Sequence, residues 1–140
     1  MSGENRRDLQ NLTRVRLEEA RTLLTAGLPD GAYYLAGYAV ECALKACIAR
    51  GTQRHEFPDK KKVAESHTHN LRDLVKVANL ELARLEEVNR DPKFRAHWDL
   101  VLQWSEQSRY RRHDSKIAQA LVRAIADRKH GVLAWIKKSW

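Results

Sequence analysis

The sequence has no long apolar run and only two cysteines, and these shortages exclude several kinds of protein. Its uninterrupted apolar stretches are a few residues long, so no segment predicts a membrane span. The first residues are polar and lack the apolar core of a signal peptide, which predicts a cytoplasmic location. Cys42 and Cys47 lie five residues apart in one helical pattern and face different sides. We therefore expect buried, inert thiols.

The sequence also lacks the common catalytic and cofactor-binding motifs. It contains no glycine-rich phosphate loop, no Gly-x-Ser-x-Gly elbow and no paired carboxylates of the nucleotidyltransferase type. Its histidines show no metal-ligand spacing, and the short run from His67 to His69 cannot hold a metal alone. We expect neither a metal nor a cofactor, and the chain cannot itself be a catalytic nucleotidyltransferase.

Composition indicates one folded domain with an excess of positive charge. Hydrophobic residues make up 43% and charged residues 31%, which is typical of a soluble globular chain. At 140 residues, one domain spanning 1–140 can bury roughly two-thirds of its unfolded surface. The net charge is +8, and residues 105–140 carry nine basic and three acidic side chains. This surplus favours anionic partners such as RNA, DNA or nucleotides.

Apolar residues recur at three- and four-residue intervals along most of the chain, and this spacing predicts helices. The predicted segments are 7–26, 31–50, 71–90 with a possible break at Asn79, a helix that restarts at Asp91-Pro92, and 115–140 with Asp114 or Ser115 as its cap. Residues 51–68 predict a long exposed loop. There is no strand alternation, repeat or low-complexity tract. We predict an all-α, antiparallel bundle of four to five helices.

The second helix carries two distinct faces. One is rich in small side chains, a feature that allows close approach of a neighbouring helix, and it carries Ala32, Leu35, Ala36, Ala39, Ala43, Ala46 and Cys47. The other follows steps of four, three and four residues through Tyr34, Tyr38, Glu41 and Lys45. This stripe could form the wall of a polar site, with Glu41 holding Arg109 and the tyrosines stacking on bases. The alternative is a partly buried ion pair with aromatic packing.

Three segments resemble the HEPN domain family, in the order in which that family has them. The segment Ala32-Tyr-Tyr-Leu-Ala-Gly-Tyr-Ala-Val-Glu-Cys-Ala-Leu-Lys-Ala46 resembles the family's second helix. His69-Asn70-Leu71 resembles the start of its third helix, and Ser108-Arg109-Tyr110 resembles the element before its last helix. The similarity covers about residues 9–138. It implies a helical bundle that commonly dimerises, found beside minimal nucleotidyltransferases, in kanamycin-type nucleotidyltransferases, and in toxin and antiviral ribonucleases.

The resemblance also draws attention to arginine and histidine pairs. Active HEPN ribonucleases carry an arginine, four to six residues and a histidine, paired across a dimer, where the histidine acts on the 2′-hydroxyl and the arginine steadies the phosphate. Here Arg109 and His113 have only three intervening residues. Arg123 and His130 have six, but the predicted last helix puts both on the face opposite its apolar stripe, typical of a solvated face.

Three functions remain open at this point. The leading hypothesis is a homodimeric nucleotide- or nucleic-acid-binding module that can partner a minimal nucleotidyltransferase, with binding residues Tyr34, Tyr38, Glu41, Lys45, His69, Arg109, Tyr110 and Arg112. The alternative is a metal-independent endoribonuclease of toxin–antitoxin or defence type, with Arg109 and His113 of two subunits as catalytic residues. The third is a helical interaction subunit with no nucleic-acid role.

Overall fold

The computed structural model describes residues 5–53 and 64–140, and every regular element in those ranges is helical. In chain order they are α1 (Arg6–Thr25), α2 (Pro29–Gln53), α3 (Leu71–Val77), α4 (Glu81–Arg90), α5 (Pro92–Leu102), a 3-10 helix (Glu106–Tyr110), α6 (Ser115–Ala126) and α7 (Val132–Lys137). The all-α prediction is confirmed. Most of the predicted 51–68 loop lies outside the described residues, although residues 51–53 continue α2.

A tight reversal joins α1 to α2, as the sequence predicts. Gly27 has a φ of +79°, a left-handed conformation that glycine adopts without steric cost at the end of a helix. Pro29 is the first residue of α2, where its missing N–H costs no hydrogen bond. Asp30 lies within the first turn of α2 and accepts the backbone N–H of His113. This contact ties the start of α2 to the segment that precedes α6.

Helix α2 lies at the centre of the bundle. It packs against α1 and α6 and also contacts α3, α7 and the 3-10 helix. The small residues of its alanine-rich face are fully buried within the chain: Ala32, Ala36, Ala39, Ala43 and Ala46. The expectation of close helix packing is therefore met inside one chain. That face is therefore not available for contact with a second chain.

Side-chain caps start most of the shorter helices. Asn70 accepts the N–H of Asp73 at the start of α3, and Asp114 accepts the N–H of Ile117 at the start of α6. Asp91 accepts two amide N–H groups at the start of α5, directly before Pro92. The predicted break near Asn79 is present, because that residue has a left-handed φ of 59° between α3 and α4.

The predicted last helix is wrong in one respect, because it is interrupted between Ala126 and Val132. The Asp127 carboxylate accepts the N–H groups of Lys129 and His130, which folds residues 127–131 into a turn. His130 Nδ1 then lies 2.6 Å from Asp91 Oδ2. This hydrogen bond is the main reason that the pKa of Asp91 is lowered. Arg123 and His130 consequently do not share a helix face.

The two cysteines and the hydropathy of the helices agree with the sequence analysis. Cys42 and Cys47 are free and buried, and burial raises the pKa of each thiol to about 12. Both therefore stay protonated at neutral pH, and a protonated thiol is a poor nucleophile.

Within the described ranges, no helix combines the length and apolar character that crossing a membrane requires.

Candidate functional site

A polar groove of about 420 Å³ opens between the start of α3 and the segment that follows α5. Backbone and side chains of two short stretches line it: Thr68, His69, Asn70, Leu71, Arg72, Leu102, Trp104, Ser105, Glu106 and Gln107. The sequence analysis selected only His69 among these residues. We refer to this pocket as the α3–α5 groove.

Trp104 forms the inner wall of the α3–α5 groove and attaches it to α2. Its indole is 4% exposed, and Nε1 donates a hydrogen bond of 3.1 Å to the carbonyl oxygen of Tyr34. The indole also stacks on the Tyr34 ring at 6.0 Å between centroids and lies directly over Gly37. A Cβ atom at Gly37 would overlap the indole ring, so the absence of a side chain there makes room for Trp104.

The Nδ1 side of the His69 ring contacts a buried carboxylate. Glu41 is 2% exposed, and its Oε2 atom lies 2.9 Å from His69 Nδ1 and 3.3 Å from Lys45 Nζ. This geometry fits an Nδ1–H group that donates a hydrogen bond to Glu41, and Nε2 then faces Glu106 at the groove. Oε1 of Glu41 is also buried, and within the described ranges it has no hydrogen-bond partner.

The expected pair between Glu41 and Arg109 is wrong. Arg109 lies instead near Glu106, whose Oε1 atom is 3.7 Å from Arg109 Nη2. The alternative interpretation, a buried ion pair beside packed aromatic rings, describes Glu41 better. Its partners are Lys45 on the same helix and His69 from the start of α3.

Glu106 joins His69 and Arg109 into one cluster at the mouth of the groove. The same oxygen, Oε1, lies 3.8 Å from His69 Nε2 and 3.7 Å from Arg109 Nη2. Both distances exceed those of direct hydrogen bonds, and the three side chains are between 34% and 43% exposed. The sequence analysis missed Glu106, although its place one helical turn before Arg109 was a usable signal.

The predicted tyrosines lie beside this cluster. Burial raises the pKa of Tyr34, and a hydrogen bond and the charge of Arg109 partly oppose that shift. The rings of Tyr34 and Tyr38 are 5.9 Å apart. The Arg109 guanidinium lies 4.7 Å from the centre of the Tyr110 ring, which is 71% exposed. These contacts form one connected cluster that contains Glu41, Lys45, His69, Arg109 and these tyrosines.

His113 has different surroundings from Arg109. Its ring stacks on Tyr33 with 3.8 Å between ring centroids, and Nε2 lies 3.2 Å from the carbonyl oxygen of Ser108. Tyr33 and Tyr34 are consecutive on α2, so they point to different sides of that helix. Within one chain, the structure does not bring the side chains of Arg109 and His113 together. Arg112 is exposed on the connecting segment.

The cluster beside the groove consists of an imidazole, a guanidinium and a carboxylate. In the part of the chain that the structure describes, no group of three or more histidine, cysteine, aspartate or glutamate side chains could hold a metal ion. Comparison with known protein families matches residues 11–139 to the HEPN domain, which is nearly the whole chain. No curated protein and no solved structure matches the chain significantly.

Proposed function

Because the chain belongs to the HEPN domain family, which is associated with nucleotide- and RNA-related functions, we propose that it binds RNA or a nucleotide at the α3–α5 groove. One observation carries this proposal. The His69 imidazole lines the polar groove, the Arg109 guanidinium lies 3.7 Å from the groove residue Glu106, and the His69 and Arg109 side chains are both about two-fifths exposed. Guanidinium and imidazole N–H groups are the donors that proteins use to hold phosphate oxygens.

The surroundings of the groove suit a nucleic acid. Arg72 is exposed on its lining, and Arg111 and Arg112 are exposed just beyond Arg109, which extends the positive surface along the chain. Such a surface gains affinity by releasing the counterions of the phosphate backbone. The exposed ring of Tyr110 adds a face on which a base can stack.

Replacing Arg109 with alanine should weaken the binding of a short single-stranded RNA about tenfold, because one charged donor to phosphate is lost. The slope of log affinity against log salt should fall by about 0.7, the contribution of one phosphate contact on a single strand. Fluorescence anisotropy of a labelled oligonucleotide at several salt concentrations measures both quantities.

The matched control for this experiment is Arg128→Ala. Arg128 is exposed in the turn between α6 and α7, next to the His130 that contacts Asp91. Asp91 starts α5 and the groove lies at its end, so the two regions are about 15 Å apart along that helix. Equal affinities for the Arg109 and Arg128 variants would remove Arg109 from the binding site.

The proposal includes a homodimer that can also partner a minimal nucleotidyltransferase. HEPN domains commonly dimerise. We therefore expect light scattering at micromolar concentration to give the mass of two chains. Since the alanine-rich face of α2 is buried inside one chain, a dimer has to use another surface. A mass of one chain under these conditions would overturn the homodimer.

The endoribonuclease alternative requires more rearrangement. Its proposed catalytic residues are Arg109 and His113 of two subunits, and His113 would have to leave its stack on Tyr33 to act on RNA. Incubation with RNA in EDTA distinguishes this alternative from binding alone. Cleavage that disappears in His113→Ala would favour the ribonuclease, whereas bound but intact RNA favours the binding module. Absence of any RNA or nucleotide binding would favour the helical interaction subunit.

A further inference from the structure

A single carboxylate oxygen lies close to both the His69 imidazole and the Arg109 guanidinium. Glu106 Oε1 is within 3.8 Å of His69 Nε2 and 3.7 Å of Arg109 Nη2. An anionic oxygen that faces an imidazole on one side and a guanidinium on the other has the environment of a bound phosphate oxygen. Glu106 therefore holds an anion position that the chain itself fills.

We propose that Glu106 occupies a phosphate subsite in the free protein, and that a phosphate of the bound RNA or nucleotide displaces it to bind between His69 and Arg109. This inference rests on the function proposed above and assigns the ligand's phosphate to one position. It makes Glu106 an internal competitor of the ligand rather than a ligand-binding residue.

The contacts of Glu106 are weak enough to be exchanged. Its side chain is 34% exposed, and both of its ion-pair distances are longer than a direct hydrogen bond. Exposed pairs of this kind contribute little stability because water and salt screen them. A phosphate group offers several strong acceptor oxygens, so it can satisfy the imidazole and the guanidinium together more fully than one distant carboxylate oxygen.

The other two members of the subsite are held in place. His69 Nδ1 is fixed by the buried carboxylate of Glu41, so its Nε2 atom keeps facing the groove after Glu106 leaves. Arg109 lies over the ring of Tyr110 and beside Tyr34, whose pKa burial raises and the Arg109 charge partly lowers. Displacement of Glu106 therefore leaves a guanidinium donor beside an imidazole whose Nε2 atom donates to a phosphate oxygen when the ring is doubly protonated.

Neutralising the competitor should strengthen phosphate binding. We expect Glu106→Gln to bind inorganic phosphate and a single-stranded RNA about three- to tenfold more tightly than the unaltered protein, because the imidazole and guanidinium no longer have an internal anion. Isothermal titration calorimetry for phosphate and fluorescence anisotropy for RNA measure the change. Glu86→Gln is the matched control, since Glu86 is exposed on α4 and its substitution changes the net charge equally.

The gain in affinity from Glu106→Gln should depend on His69. In a His69→Gln background, adding Glu106→Gln should give a much smaller increase, whereas a general electrostatic effect would give the same increase in both backgrounds. Thermal unfolding of each variant checks that the fold is retained. Three probes identify the source of the phosphate: inorganic phosphate, a nucleoside 5′-monophosphate, and an RNA without terminal phosphates. If affinity rises only for inorganic phosphate and the nucleoside monophosphate, the subsite binds a phosphomonoester. If it rises for all three probes, the subsite also binds the diester of the RNA backbone.

The outcomes separate this inference from the proposed function. If RNA binds in an Arg109-dependent manner but Glu106→Gln gains no more than Glu86→Gln, the competitor role is overturned and the binding function stands. Weaker binding by Glu106→Gln would make Glu106 a binding residue and overturn the inference as well. If no variant binds any of the probes, both proposals are wrong.

Discussion

Replacing Trp104 with alanine is expected to lower the free energy of unfolding by about 3–5 kcal/mol, the usual cost of removing a large buried aromatic side chain. The indole is 4% exposed and packs over Gly37, so its loss leaves a cavity between α2 and the segment after α5. It also removes the hydrogen bond to the Tyr34 carbonyl. Chemical denaturation followed by circular dichroism measures the change.

Two companion variants separate the contributions of Trp104. Trp104→Phe keeps most of the ring packing but loses the Nε1 donor, so we expect an intermediate loss of about 1–2 kcal/mol. Gly37→Ala keeps the indole but places a methyl group where the ring lies, so we expect destabilisation of about 1–3 kcal/mol through overpacking. A loss below about 1 kcal/mol in Trp104→Ala would mean that the indole does not anchor the groove wall.

Glu41→Gln is expected to have the second-largest effect, because it removes a buried carboxylate that contacts both His69 and Lys45. The 2% exposed carboxylate accepts from His69 Nδ1 and Lys45 Nζ through one oxygen, and a glutamine amide cannot serve both partners equally well. We expect a loss of about 1–3 kcal/mol in stability, limited by the partial exposure of His69 and Lys45. RNA binding should weaken as much as in His69→Gln.

The effect of Glu41→Gln on RNA binding shows whether Glu41 positions His69 or only stabilises the fold. If Glu41 only stabilises the bundle, the folded Glu41→Gln protein will bind RNA with unchanged affinity. If it orients His69, affinity will fall and Glu106→Gln will no longer restore it. Glu86→Gln on the exposed face of α4 is the control for the change in net charge. A variant that is more stable and binds normally would contradict both roles.

The sequence predicted those helix boundaries that are fixed by capping residues beside the helix end. Asn70, Asp91 and Asp114 all accept amide N–H groups at helix starts, and each precedes a run of apolar residues at helical spacing. Gly27 ends α1 for a similarly local reason, since its left-handed φ suits glycine. Such boundaries depend on the residues immediately beside them, and the sequence contains that information.

The interruption of the last helix depends on a contact far along the chain. Val132 and Ile136 continue the apolar spacing of Leu121 and Ile125, which predicts one continuous helix, although residues 127–131 contain no apolar side chain. The turn is instead held by Asp127, which binds two amides, and by His130, which reaches Asp91 at the start of α5. Spacing within a helix cannot reveal a partner that is 39 residues away.

The sequence pointed to some residues of the candidate site, but it predicted neither Glu106 and Trp104 nor the pairing of Glu41. The spacing of Tyr34, Tyr38, Glu41 and Lys45 correctly placed them along one helix side, and the resemblance to HEPN domains pointed to His69 and Arg109. Which cation would pair with Glu41 depended on where the start of α3 crosses α2, and that tertiary placement favoured His69 over Arg109. Trp104 was missed because its role becomes evident only where it meets Gly37.

The most direct test of the central claim is nuclear magnetic resonance of the histidine side chains during a titration with single-stranded RNA. Signals of His69 and His113 can be assigned from the spectra of His69→Gln and His113→Gln. We predict that the Nε2 resonance of His69 shifts progressively and saturates with the RNA, while the signals of His113, stacked on Tyr33, stay nearly unchanged. Saturating RNA binding that shifts His113 and leaves His69 unchanged would contradict the account and place the site elsewhere.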